Sequence, residues 1–356
     1  MLSKEDINCK QNNKGEHMRN LVSIKTIDKI SPIEGADFIE RATLGGWNVV
    51  VKKGLYNEGD RALYLEIDSV LPEDNPVFKD FMKHGVKNVT TFDGKELRGH
   101  VLRTVRLRGV YSQGALIPLS EISLDPNSTQ EQVDAWGEQQ GVFKYEPPAV
   151  FSNSGILGTF PNKYARQTDS ERVQNLSDDF LQKISQETSW IPSEKIDGMS
   201  ATFFKDEQGV LRAASRNYEV DTTQGIFAEI IQKYELDTRM EPGSVIQGEI
   251  FGEGIQKNTL KKKGHHLAVF SHNDIGSEEY LLWLDKEMKV PIYDGIEFPL
   301  TVEQAVEQVN GLKSLMNPNV QAEGIVWWNT DGIIYPEIGD RANFKAINNK
   351  FLLKNG

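Results

Sequence analysis

Lys195, Asp197 and Gly198 form the most chemically loaded stretch of this chain, within Glu194-Lys195-Ile196-Asp197-Gly198. A lysine with an acid two residues on, a glycine next and then the strand-like Ala201-Thr202-Phe203-Phe204 is placed to present an amine at a strand end. An amine is a nucleophile only when deprotonated, so the neighbours of Lys195 are expected to lower its pKa. The tetrapeptide alone also fits an ordinary surface loop, and only its partners separate the two readings.

Chemically matched partners follow in order. Ser215-Arg216-Asn217 comes after a hairpin. Gln247-Gly248-Glu249-Ile250-Phe251-Gly252 reads as a strand whose flanking glycines imply close backbone approach. His266-Leu267-Ala268-Val269-Phe270 is a further strand, Glu323-Gly324-Ile325-Val326-Trp327 opens another, and Asn343-Phe344-Lys345-Ala346 closes the series. Singly, each has a structural reading: Arg216 as a surface arginine, Glu249 as an edge charge, Phe270 as core, Glu323-Gly324 as a turn.

These groups need a scaffold, and the chain is long enough for two domains with 356 residues. Hydrophobic content of 38% and charged content of 26% fit a globular protein. No run approaches a membrane span and the first residues lack a signal-peptide core, so no membrane partner is expected. The lone Cys9 excludes an intrachain disulfide framework and a cysteine-based zinc site, which fits a cytoplasmic location. A net charge of −12 counts against indiscriminate nucleic-acid binding but leaves room for a local basic groove.

Residues 18–120 read as strands: Val22-Ser23-Ile24, Trp47 to Val51, Arg61 to Ile67 and Val101 to Val110, with glycine turns between the first three. That pattern predicts a small barrel, interrupted by an insertion at 74–95 with a short helix from Val77 to Lys83. Ser128-Thr129-Gln130-Glu131 predicts a capping box opening one or two helical turns. Pro147-Pro148 and Asn153-Ser154-Gly155 mark loop, which puts the boundary at 145–165 and the domains at 1–150 and 151–356. Beyond it, helices are expected over 171–186, over 225–234 and after Thr301, where Val302 to Leu312 keep helical spacing. Strands are expected at 200–204, 210–215, 244–251, 266–271, 280–284, 323–328 and 342–347.

The ordered set from Lys195 to Lys345 resembles the covalent nucleotidyltransferase superfamily of polynucleotide ligases and messenger-RNA capping enzymes. The resemblance implies that Lys195 attacks the α-phosphate of a nucleoside triphosphate and becomes a lysyl–nucleoside monophosphate. It implies nucleotide binding by Glu194, Lys195, Ile196, Asp197, Gly198, Arg216, Glu249, Phe270, Glu323 and Lys345. Within that set Arg216 contacts ribose or phosphate, Lys345 grips the α-phosphate and Phe270 stacks on the base. Glu249 and Glu323 are acceptor-only groups suited to a divalent metal, Mg²⁺ or Mn²⁺, or to the ribose hydroxyls. Lys195, Glu249, Glu323 and Lys345 are the candidate catalytic residues.

The chain ends eleven residues after Lys345, with no room there for the C-terminal barrel of capping enzymes and most DNA ligases. The N-terminal segments Gly35 to Glu40, Gly46 to Gly54 and Tyr64 to Pro72 instead look like the N-terminal OB domain of ATP-dependent nick-sealing RNA ligases. Leu102 to Gly109, Lys144 to Pro148 and Thr168 to Leu176 also fit that group. The implied fold is α+β: an N-terminal OB-type β-barrel, then a nucleotidyltransferase domain of antiparallel sheets flanked by helices. The implied activity is ATP-dependent sealing of 3′-hydroxyl/5′-phosphate nicks in RNA, with a ribonucleotide favoured on the 3′-hydroxyl side. A monomer is expected.

One departure concerns the last motif, which often reads Lys-x-Lys in ligases and here reads Asn343-Phe344-Lys345. Lys350 or Lys354 is a candidate replacement for the missing cation. For RNA, Arg106 and Arg108 share a face if their segment is a strand, and Gln256 and Asn258 follow the Glu249 motif. Lys52-Lys53, Lys257 and Lys261-Lys262-Lys263 are further basic groups, each equally readable as solvated surface. Two alternatives stand beside the ligase: a capping-type guanylyltransferase, disfavoured by the missing C-terminal barrel, and a non-catalytic nucleic-acid-binding relative, disfavoured by the intact lysines and glutamates.

Overall fold

The computed structural model describes residues 20–91, 95–145, 154–272, 284–339 and 341–355. At the centre of its N-terminal unit is the strand Arg61–Leu65, which pairs antiparallel with Val22–Thr26 on one side and Ala115–Pro118 on the other. Side chains alternate along a strand, and here both faces are buried. Leu63 and Leu65 pack with Phe78, Val133 and Trp136, while Ala62 and Tyr64 pack with Leu44, Trp47 and Val49. A second sheet joins Lys29–Pro32, Ile39–Leu44 and Trp47–Lys52, and a third orders Phe143–Lys144, Ser69–Pro72, Glu96–Val101 and Lys87–Thr90.

Three local expectations change here. The segment 101–110 is not one strand: Glu96–Val101 ends in the third sheet, and Thr104–Leu107 forms a separate ribbon with Val110–Gln113. Its two-residue turn, Arg108-Gly109, takes φ of 47° and 86°, the geometry of a tight hairpin turn. The helix after Ser128 is ten residues, Gln130–Gln139, and its cap is Thr129 paired reciprocally with Gln132 rather than Ser128 with Glu131. Its Val133 and Trp136 close the barrel core, so it belongs to the N-terminal unit. The expected helix near Val77 is a 3₁₀ turn, Pro76–Phe78, followed by Lys79–Met82.

The second unit sets two sheets face to face. One orders Ile156–Thr159, Tyr218–Val220, Leu211–Ala214, Met199–Lys205, Val245–Gly252 and His265–His272; the other orders Glu171–Arg172, Asn343–Ile347, Gly324–Asn329 and Trp190–Lys195. Gly225–Lys233 covers the outer face of the first, burying Phe227 and Ile230 against Phe203, Ile246 and Val269. Asp178–Glu187 and Val302–Gln308 cover the second, packing Leu181, Ile184 and Ala305 against Trp327 and Phe344. Alternation leaves Ser200, Gln247, Glu249 and Phe270 of the first sheet on the inner side. Lys195, Trp328, Asn343 and Lys345 of the second face them.

The helix expected from 171 starts later. Glu171 and Arg172 pair in parallel with Phe344 and Lys345, a 3₁₀ turn follows, and Ser177 caps a helix that begins at Asp178. The helix after Thr301 stops at Gln308, leaving Leu312 outside it. The strand expected at 280–284 lies outside the described residues except for Leu284, which is buried in loop. No helix among the described residues is long and apolar enough to cross a membrane.

Arg172 leaves the helical register because it joins the two units. Its guanidinium lies 3.1 Å from Asp68 and 3.7 Å from Glu66, and it is 4% exposed. Trp47 donates its indole N–H to Asn175 at 2.7 Å across the same seam. Arg172→Ala removes the main cation from the buried Glu66. The expected loss is about 3 kcal/mol, at the lower end for a broken buried pair because Lys25 also feels Glu66. Urea denaturation checks this, and a change below about 1 kcal/mol would mark the seam as solvent-screened.

Candidate active site

Lys195 ends its strand in register with Gly324 of the neighbouring strand. A Cβ at Gly324 would lie 2.1 Å from the carbonyl oxygen of Ala346, so only glycine allows that approach. The preceding residue, Glu323, is thereby held beside the lysine, and Lys195 Nζ lies 2.7 Å from Glu323 Oε1. From the facing sheet comes Glu249, in register with Ser200. Gly198 lets the Lys195 turn lie against it, because a Cβ there would be 2.3 Å from Ile250 O and 2.8 Å from Glu249 Cγ. Asp197 completes the group, its Oδ2 accepting from Thr259 Oγ1 at 2.9 Å.

These three carboxylates reverse one expectation. Burial pushes the Lys195 amine down, but Glu323, Glu249 and Asp197 together outweigh it, and the net shift is upward. The lysine therefore holds its proton strongly. Burial pushes Glu249 up to about 8, opposed by Lys195 and reinforced by Glu323 and Asp197. Glu323 and Asp197 are raised as well, again chiefly by burial. Three acidic groups with raised pKa values in so little solvent leave a place for added positive charge. The Lys195 side chain is 24% exposed.

A second cluster carries the opposite sign. Asp169 accepts from Lys144 Nζ at 2.7 Å, from Lys345 Nζ at 3.4 Å and from the Arg216 guanidinium. Burial would raise the Asp169 carboxyl, but Lys345, Arg216 and Lys144 hold it well below the usual carboxylate range. Lys345 also lies in the field of Glu323, and Arg216 in that of Glu249, so the two clusters adjoin. Convergent cations beside a half-buried lysine can draw a polyanion to that amine, which must first lose its proton before it can act as a nucleophile.

Comparison with known proteins agrees with that chemistry. An RNA ligase family model matches residues 188–347, and an OB-fold domain model matches residues 21–119. The Naegleria gruberi RNA ligase solved with pyrophosphate is 32% identical, with a TM-score of 0.78 over 94% of this chain and 98% of that one. This chain belongs to the RNA ligase family. Point-mutant forms of the Naegleria enzyme, one solved with AMP and Mn and one with ATP and Mn, match at 33% and 32% identity. Each has a TM-score of 0.79 over 94% of this chain and 99% of the other. No curated protein sequence matches. The α+β fold with an N-terminal OB barrel is thus what the sequence resemblance implied.

Not every expected residue of this RNA ligase converges on Lys195. Glu194 points to the opposite face of its strand, where its carboxylate accepts from the Leu315 and Met316 amides at 2.8 and 3.4 Å and fixes that loop. Ile196 is buried with Phe251 and Leu260. Phe270 is half-buried on the inner face with one ring face stacked on Trp328, centroids 5.7 Å apart. Asn343 is fully buried, and neither its amide nitrogen nor its oxygen has a hydrogen-bond partner. Lys350 and Lys354 are exposed on the terminal helix Asn349–Asn355, whose Leu352 packs on the barrel core around Trp47. A buried cation does stand two residues before Asn343: Arg341 donates to Gln247 Oε1 and Gln167 O, each at 3.0 Å.

The tentative RNA residues also separate. Arg106 is on the ribbon strand and donates to Gly109 O at 3.1 Å, while Arg108 occupies the turn, so the shared face expected of them does not form. Gln256 donates to the Gly198 carbonyl at 3.3 Å, next to the lysine loop. The Asn258 amide is committed to its own turn, both donating to and accepting from the Lys262 backbone. Lys257 donates to the Lys354 and Asn355 carbonyls at the end of the terminal helix. Sequence reasoning missed Asp169. It is one acid in a polar run, and only folding brings three distant cations to it.

Proposed function

We propose that this RNA ligase uses ATP and a divalent metal to seal 3′-hydroxyl/5′-phosphate nicks through a covalent lysyl-AMP. The observation that carries this is the Lys195–Glu323 contact of 2.7 Å, with Glu249 and Asp197 beside it and Arg216 and Lys345 adjoining. Lys195 Nζ bonds to the α-phosphorus as the bond to pyrophosphate breaks, and the amine loses its proton. An oxygen of the nick's 5′-phosphate then takes the AMP from Lys195, and the 3′-hydroxyl displaces AMP to form the phosphodiester. Lys345 and Arg216 neutralise phosphate oxygens, the main demand of phosphoryl transfer. Phe270 offers its other ring face to the adenine.

The metal has a fitting place. Glu323 Oε2 is buried without a hydrogen-bond partner, and Glu249 and Asp197 lie beside it with raised pKa values. Among the described residues no three His, Cys, Asp or Glu side chains form a ready-made cage, which suits an ion that takes further oxygens from substrate phosphates. Glu249 and Glu323 would hold it, and its charge would favour the neutral form of Lys195. Both Mg²⁺ and Mn²⁺ accept such oxygen ligands.

Nicked duplexes with RNA or DNA in each strand, assayed with ATP and metal, test the reading. Joining is expected with a ribonucleotide at the 3′-hydroxyl side. A protein adduct formed with labelled GTP and not ATP would sink it in favour of a capping-type enzyme. On the RNA side, Arg106 is over the Tyr111 ring at 5.6 Å on an exposed ribbon. Arg106→Ala should weaken nicked-duplex binding by roughly fivefold and lower the salt slope by about one, with adduct formation unchanged. Unaltered salt dependence in a filter-binding titration would remove Arg106 from the interface.

A further inference from the structure

The loop 253–264, between the strands Val245–Gly252 and His265–His272, meets the lysine turn at three consecutive residues. Leu260 is buried in one cluster with Ile196. Thr259 Oγ1 donates to Asp197 Oδ2 at 2.9 Å, and Gln256 Nε2 donates to the Gly198 carbonyl at 3.3 Å. Residues 196, 197 and 198 are thus held from the loop, while Lys195 at the strand end pairs with Glu323. The loop backbone is itself constrained. Gln256, Asn258 and Lys261 take left-handed φ of 48°, 43° and 54°. Asparagine tolerates that region, whereas glutamine and lysine keep it only where other contacts compel them. Those contacts are present. Ile255 and Leu260 are buried, the Asn258 side chain closes on the Lys262 backbone, and Asn317 donates to the Leu260 carbonyl at 2.9 Å. At the base of the loop the Glu253 amide donates to Gly264 O at 3.0 Å, and the Glu253 carboxylate accepts from the Gly264 amide at 3.1 Å.

Strained backbone gathers where a geometry has to be held. Here the held group is Asp197, which stands two residues from Lys195 and whose charge acts on the amine. A carboxylate left free at that position would swing onto the amine and add a second ion pair to the Glu323 contact. A hydroxyl donating to Oδ2 fixes it instead. We propose that Thr259 is a positioning residue for adenylyl transfer: through Asp197 it keeps the Lys195 turn in the geometry for attack on the α-phosphorus, with Gln256 fixing the Gly198 carbonyl beside it. This rests on the lysyl-AMP reading and adds to it two residues that act through the lysine turn. It also takes Gln256 from the RNA contacts to that turn. Neither residue is asked to bind ATP, so the effect belongs in the rate of attack and not in ATP affinity.

Adduct formation needs no RNA, so it reads positioning apart from RNA binding. It is measured at increasing ATP for the wild type, Thr259→Val, Thr259→Ser and Gln256→Ala. Thr259→Val keeps the side-chain shape and removes one hydroxyl–carboxylate bond, so the plateau rate should fall roughly tenfold. The ATP concentration at half-maximal rate should change less than about threefold. Thr259→Ser keeps the hydroxyl and should stay within about threefold of the wild type. Gln256→Ala, at an exposed side chain, should lower the plateau roughly threefold with nicked-duplex binding unchanged. A wild-type plateau in Thr259→Val would overturn the proposal. So would a loss in Thr259→Ser as large as in Thr259→Val, because the hydroxyl would then not account for the effect. A loss expressed in the ATP concentration rather than in the plateau would overturn it as well. Intact adduct formation with weakened duplex binding in Gln256→Ala would return Gln256 to the RNA contacts and overturn its part. A wild type that forms no adduct with ATP would instead reject the lysyl-AMP mechanism itself.

Discussion

Lys195→Ala is expected to abolish the labelled protein–AMP adduct, a loss on the order of 10⁵-fold or more, as for removal of a covalent nucleophile. No neighbour can substitute. The groups within its reach are Glu323, Glu249 and Asp197, and Lys345 is engaged with Asp169. Lys195→Arg should fail equally, because a guanidinium does not give up its proton. Gel detection of the adduct after incubation with labelled ATP and Mn²⁺ decides the matter. A persistent adduct in Lys195→Ala would move the nucleophile elsewhere and dissolve the site as drawn.

The second large effect is expected at the glutamates. Glu249→Ala and Glu323→Ala should each reduce adduct formation by roughly 10²- to 10³-fold, the scale for removing one electrostatic element of a phosphoryl-transfer site. Glu323→Ala also deletes the 2.7 Å partner of Lys195. Its amine pKa should therefore fall while catalysis falls too, a combination that separates lysine activation from metal holding. The pH behaviour follows from Glu249, which keeps its proton up to about 8. A cation binding there must displace that proton, so Mn²⁺ affinity should rise from pH 6 to pH 8 with proton release. Calorimetry in buffers of different ionisation enthalpy reads this directly. Wild-type sealing by Glu249→Ala would remove Glu249 from the site.

Much of this was legible along the chain. The order of Lys195, Arg216, Glu249, Glu323 and Lys345, and the glycines at 198 and 324, are local features that survive without coordinates. Strand alternation was equally readable, because burying one face forces a period of two. The misses occurred where a distant partner overrode a local pattern. Glu171 to Leu176 keeps helical spacing, yet Arg172 is drawn out to Glu66 and Asp68. Arg108 fits a strand alternation, yet the hairpin must turn at Arg108-Gly109. Ser128 fits a capping box, yet Thr129 and Gln132 form the one that the helix uses.

What the sequence determined by itself was the inventory: which residues carry nucleophilic, anionic and cationic chemistry, and that they lie on short strands of an α+β chain. Only the tertiary structure decided their charge states and company. It raised the Lys195 pKa where the sequence reading expected depression, gathered Lys144, Arg216 and Lys345 on Asp169, and buried Asn343 where a cation was expected. The reason is physical. Residue type and strand period are set by near neighbours in the chain, whereas Coulombic and desolvation energies depend on distances between residues far apart in sequence.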